Sequence, residues 1–124
     1  MANPNLINTS SCFGTFLTFQ NVAAQSAGGT TLLSGSSLID KLRKVVLITF
    51  CNTTSATRSI RLYESSTGGS GYILYDVDLP AKATLVAIDR ETPIYMPEGS
   101  RSLLAAADTT GVDVTIVYEE YDDA

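Results

Sequence analysis

The strongest constraint on this chain is its hydrophobic rhythm. From Val45 to Tyr118 the apolar residues fall in short runs, mostly on alternate positions, and turn-forming clusters separate the runs. Alternation places every second side chain on one face of a strand, and runs recurring about every 8–12 residues describe a sandwich or barrel rather than strands joined by helical crossovers. The pattern predicts an all-β, single-domain β-sandwich of jelly-roll type. At 124 residues and 44% hydrophobic content, the chain is large enough for one domain with a real core.

Individual strands can be placed. Phe13, Leu17 and Phe19 share a parity and predict a first strand over 12–19, and residues 30–33 make a short second one. Between them, 20–29 reads as a loop. Residues 45–51 (VVLITFC) are apolar on both parities, which predicts a central strand covered on both faces. Ile60 and Leu62 point one way, with Ser59, Arg61 and Tyr63 opposite them. Ile73, Tyr75, Val77 and Leu79 alternate with Tyr72, Leu74, Asp76 and Asp78. Residues 84–88 form the next strand. Pro93 and Pro97 bracket a short edge strand, since proline cannot donate to a ladder. The small residues of 102–107 predict close approach to a neighbour, and 112–118 is the last strand. Two segments read as something else. Residues 36–42 suit one helical turn, with Ser37 as its cap and Leu38, Ile39 and Leu42 on one side. Residues 1–11 are polar and predict an extended arm ahead of a domain spanning 12–124, which ends in a short acidic tail.

Composition narrows the chemistry. No histidine occurs, so the commonest general base and partner of a nucleophile is missing. A serine–lysine arrangement through Lys41, Lys44 or Lys82 has no supporting spacing. The expectation is a protein that is not an enzyme and carries no cofactor or metal. Asp76 and Asp78 share a strand face and could in principle hold a cation, but surface acids on strands are common and the polar-face reading is preferred. Gly68, Gly69 and Gly71 lack the following helix and lysine of a phosphate loop, and read as a hairpin tip. The net charge of −5 argues against nucleic acid as a partner. The one basic cluster, Lys41, Arg43 and Lys44, reads as a solvated turn before a strand.

Of the two cysteines, Cys12 and Cys51, each lies in apolar surroundings, and buried free thiols are the preferred reading, with pairing left open. No run reaches the length of a membrane-spanning helix, and the first residues lack a signal pattern, so no membrane partner is expected. The sequons at Asn8 and Asn52 then read as chance turn sequences.

Only 17% of residues are charged, and serine and threonine fill much of the remaining surface. Such a surface suits a subunit that hides area in an assembly, and a homo-oligomer is expected, with a trimer favoured. Candidate subunit or partner contacts are Phe13, Phe16, Tyr63, Tyr72, Tyr95 and Tyr121. A glycan-binding module that stacks sugars on exposed tyrosines is the alternative, and the absence of tryptophan weakens it.

From Asn52 onward the order of segments resembles small tailed-bacteriophage virion proteins of β-sandwich type. The residues that carry it are NTTSATRSIRLY (52–63), LPAKATLVAI (79–88), PIYMPEGSRSLLAAA (93–107) and VDVTIVYEE (112–120). The resemblance covers about two-thirds of the chain and transfers no catalytic residue. It implies a virion structural protein, assembled in the host cytoplasm and docked on capsid or other virion proteins. Capsid decoration or cement is the leading placement, with neck or tail as the alternative.

Overall fold

The computed structural model describes residues 11–35, 41–65, 72–96 and 101–122, with the side chains of 11–13 and 122 left aside. Within them the chain forms nine strands: β1 Ser11–Phe19, β2 Thr30–Leu33, β3 Lys41–Asn52, β4 Arg58–Ser65, β5 Tyr72–Leu79, β6 Thr84–Ile88, β7 Ile94–Met96, β8 Ser102–Ala107 and β9 Val112–Asp122. One 3-10 turn, Gln25–Ala27, lies between β1 and β2.

Two antiparallel sheets result. One has the order β1-β9-β3-β6, with β7 also paired to β3; the other has the order β2-β8-β4-β5. The pairings are nested: first strand with last, β2 with β8, β3 with β6, β4 with β5. This is a long antiparallel ribbon rolled on itself, the jelly-roll form of the β-sandwich, as the alternation predicts. Alternate residues of the two sheets meet between them. Val45, Ile48 and Phe50 of β3 and Val112, Val114 and Ile116 of β9 pack against Ile60 and Leu62 of β4 and Leu103, Ala105 and Ala107 of β8.

Several local expectations are corrected. Lys41 and Leu42 belong to β3 and not to a helical turn, while 36–40 lie outside the described residues. Ser11 already pairs with Asp122, so the sandwich begins at least one residue inside the expected arm; residues 1–10 lie outside the described residues. The basic cluster is no solvated turn and the acidic end no free tail: Lys41, Arg43 and Lys44 stand opposite Asp122, Glu120 and Glu119 in the β3–β9 ladder. Mutual neutralisation lets both runs extend the strands that a purely apolar reading stops early. Asn52, expected to begin a turn, is the buried last residue of β3. Nor is β3 covered on both faces. A bulge between Val45 and Leu47 buries Val46, but Leu47, Thr49 and Cys51 on the outer face are only half-buried. A second irregularity, between Leu62 and Tyr63, places Ile73 opposite Tyr63 and takes it out of the core row that Tyr75, Val77 and Leu79 keep. By contrast β7 pairs with β3 alone, as its flanking prolines require.

Candidate functional site

The large apolar side chains that the fold leaves exposed are not scattered. Among the described residues they are Phe16, Tyr72, Ile73, Leu74, Val86 and Tyr95. Phe16 lies on β1, the next three on β5, Val86 on β6 and Tyr95 on β7, and each of these strands ends a sheet. An edge strand offers unpaired backbone groups, and folded proteins commonly shield such edges with charge or proline. Here three of the sandwich's four borders carry exposed apolar or aromatic groups.

Local structure explains the placement. Tyr72, Ile73 and Leu74 sit where the β4–β5 irregularity breaks the alternation, so three successive side chains reach solvent. The Arg101 guanidinium lies 4.3 Å from the centre of the Tyr72 ring. On the other sheet the Lys44 ammonium lies 5.9 Å from the centre of the Tyr95 ring. Such cation–ring contacts hold an aromatic face in place at the surface.

The expected contact residues divide accordingly. Phe16, Tyr72 and Tyr95 are exposed, and Tyr121 is half-buried on β9 opposite Cys12 and Leu42. The backbone of Phe13 pairs with Glu120; its side chain lies outside the described set. Tyr63 is the correction. It is fully buried within the chain and cannot serve as a surface contact. Its parity does point away from the main core, but the loop between β1 and β2 folds over that face. Tyr63 forms a second cluster there with Leu104 and Ala106, and its hydroxyl donates to the Gly28 carbonyl at 2.9 Å. Burial raises the Tyr63 pKa above the ordinary 10.0, with Arg61 opposing the shift. Ile73, Leu74 and Val86 were missed by the sequence reading. Leu74 shares the outward parity of Asp76 and Asp78, whereas only the β4–β5 irregularity takes Ile73 out of the core row, and alternation does not reveal it.

Asp76 and Asp78 are engaged within the fold. Arg61 Nη2 donates to Asp76 Oδ2 at 3.0 Å, and Ser59 Oγ donates to Asp78 Oδ1 at 2.6 Å. No group of three acidic or thiol side chains suited to a metal ion occurs among the described residues. Two surface hollows lie on opposite sheets. One is lined by Gln25, Ser59, Arg61, Asp76 and Asp108 over an alanine floor; the other has Leu47 and Val117 beside Asp89, Arg90 and Glu91. Neither contains a tyrosine. No helix among the described residues is long and apolar enough to cross a membrane.

No protein-family model and no curated protein matches this chain. A solved structure of Bacillus endospore appendages, described as a family of disulfide-linked pili, aligns over 99% of this chain and 100% of its own, at 8% identity and a TM-score of 0.47.

Proposed function

We propose that this protein is a non-enzymatic structural subunit of a virion, a capsid decoration or cement protein that works by contact. The observation that carries the structural role is the confinement, among the described residues, of exposed large apolar side chains to edge strands. A subunit whose free borders are apolar gains by covering them with copies of itself or with other particle proteins. The low charge content acts in the same direction. The virion placement rests on the segment order that resembles small tailed-phage proteins, and neck or tail is its alternative. Host-glycan recognition has less support: Tyr72 and Tyr95 stand on the borders of different sheets rather than around one cleft.

The test is the copy number in purified particles, measured by quantitative mass spectrometry. Hundreds of copies are expected for decoration. About six to twelve, in keeping with a cyclic ring, indicate neck or tail. Absence from particles rejects the reading.

A further inference from the structure

A bulky apolar projection and an apolar-floored hollow lie on one row of one sheet face. Phe16 on β1 stands opposite Val117 on β9, and Val117 stands opposite Leu47 on β3. All three alternate with core residues and so lie on the outer face of the five-stranded sheet. Phe16 projects with 66% of its surface exposed. At the other end of the row, Leu47 and Val117 floor a hollow of about 470 Å³ that residues 89–91 wall on one side. Phe16 and Leu47 are two strand spacings apart, about 10 Å, with Val117 between them. The next outward row is uncharged: Thr18, Thr115 and Thr49 stand side by side across β1, β9 and β3.

We infer that this face packs against the same face of a second copy of the chain, about a two-fold axis running along β9. Rotation about that axis leaves Val117 facing Val117 and exchanges β1 with β3. Phe16 of each copy then enters the Leu47 hollow of the other, and threonine row meets threonine row. A two-fold contact requires this reciprocity, in which one residue touches a second and the second touches the first. Two sheets packed face to face with nearly aligned strands are an ordinary arrangement. The partner is another copy because projection and receptor belong to one surface, each placed where the rotation needs it. Charge is confined to the margins of the contact. The threonine row brings none, while Asp89, Arg90 and Glu91 stand at the wall of the hollow. Glu119, one outward step along β9, comes near its own copy. It has Arg90 at 4.0 Å and Lys44 opposite it in the ladder, so cations flank it.

This contact gives the structural-subunit reading a partner and a geometry, and it differs from the trimer expected from surface composition. It is tested in a Cys12→Ser, Cys51→Ser background. Phe16→Cys protein is mixed with Leu47→Cys protein and treated with a short bismaleimide. A linked pair of the two different variants is expected to exceed either self-linked pair at least fivefold. Sedimentation equilibrium of the unaltered chain is expected to give a dimer, weakened tenfold or more by Phe16→Ser and unchanged by Tyr72→Ser on the other sheet. Phe16 is exposed, and circular dichroism of the variants checks that they stay folded. A monomer at millimolar concentration, a trimer, a dimer indifferent to Phe16→Ser, or preferential linking of Phe16→Cys to itself overturns the two-fold contact. Copy number in particles is read separately, so a monomer found in particles overturns this contact and leaves the structural role standing.

Discussion

Arg43 Nε donates to Glu120 Oε1 at 2.9 Å, and this pair joins the basic start of β3 to the acidic end of β9. Both side chains are largely shielded, at 17% and 10% exposure, while Lys41 approaches the other oxygen at 3.7 Å and is itself 36% exposed. Arg43 also lies over the Tyr118 ring and reaches the Ser34 carbonyl. Removing one partner leaves the other charge shielded from water without compensation. Glu120→Ala is therefore expected to lower the unfolding free energy by about 2–4 kcal/mol. Asp76→Asn, which breaks the exposed pair with Arg61, is expected to cost under about 1 kcal/mol. Urea titration of the two variants checks the contrast, and equal losses would contradict it.

Tyr63 and Gly29 form a second testable pair. A side-chain carbon added at Gly29 would collide with the Tyr63 hydroxyl, and the backbone there has φ of +71°, which other residues rarely adopt. Gly29→Ala is expected to destabilise more than Tyr63→Phe, which loses one hydrogen bond worth about 1 kcal/mol. The double variant should recover part of the glycine loss.

The same tyrosine gives a pH signature. Burial raises its pKa in the folded state above 10.0, so the folded protein holds this proton more tightly than the unfolded chain. The resulting stabilisation is complete below pH 10.0 and is lost as pH rises through the folded-state value. The stability difference between the unaltered protein and Tyr63→Phe should therefore shrink above about pH 10. A constant difference through that range would contradict the assignment.

Asn52 ties three segments together. Its Nδ2 lies 2.8 Å from the Ala56 carbonyl and 3.1 Å from those of Leu79 and Pro80. Its Oδ1 accepts from the Thr54 amide and hydroxyl. Asn52→Asp should cost at least as much as Asn52→Ala, about 3 kcal/mol, because a carboxylate turns lone pairs toward the Leu79 and Pro80 carbonyls. Full burial also hides the amide from glycosylation. Incubation of the purified folded domain with an oligosaccharyltransferase and its lipid-linked donor, read by mass spectrometry, should find Asn52 unmodified.

The thiols cannot meet within one folded chain. Cys12 pairs with Tyr121 and Cys51 with Asp113, so they border β9 at positions about 26 Å apart by strand rise. A disulfide needs Cα atoms within about 7 Å. Oxidation of the folded monomer should yield no internal cross-link, as read from non-reducing peptide maps.

Much of the sandwich is legible in the sequence because alternation measures burial directly: the inward rows of β4 and β9 follow it residue by residue. Three features escape it for physical reasons. The Arg43–Glu120 pairing joins residues 77 apart, and neither polar run signals a strand alone. Tyr63 sits on a polar-looking parity that a loop later covers, and no periodicity reports what folds over a sheet. The bulges at Val46 and beside Leu62 shift the register by one residue, which exposes Ile73 and leaves Leu47 at the surface. The candidate site is partly legible for the same reason. Phe16, Tyr72 and Tyr95 stand out as aromatics off the core parity, whereas Ile73, Leu74 and Val86 look like ordinary strand residues until the edges are known.

The strand that holds the five-stranded sheet together is also the last of the nine to leave the ribosome. β9 lies between β1 and β3, so while residues 112–122 are still being made, those strands have no neighbour between them. The emerging chain can zip β4 onto β5, which are adjacent in sequence, but it cannot close the sandwich. Pairing first with last makes the loop closure large, and such topologies fold slowly. The apolar borders are thus exposed together with unpaired strands throughout synthesis, when misassociation is most damaging. A ribosome-stalled chain of residues 1–110, extended by a linker that spans the exit tunnel, is expected to be protease-sensitive. Release of the final strand should convert it to a resistant form in one step.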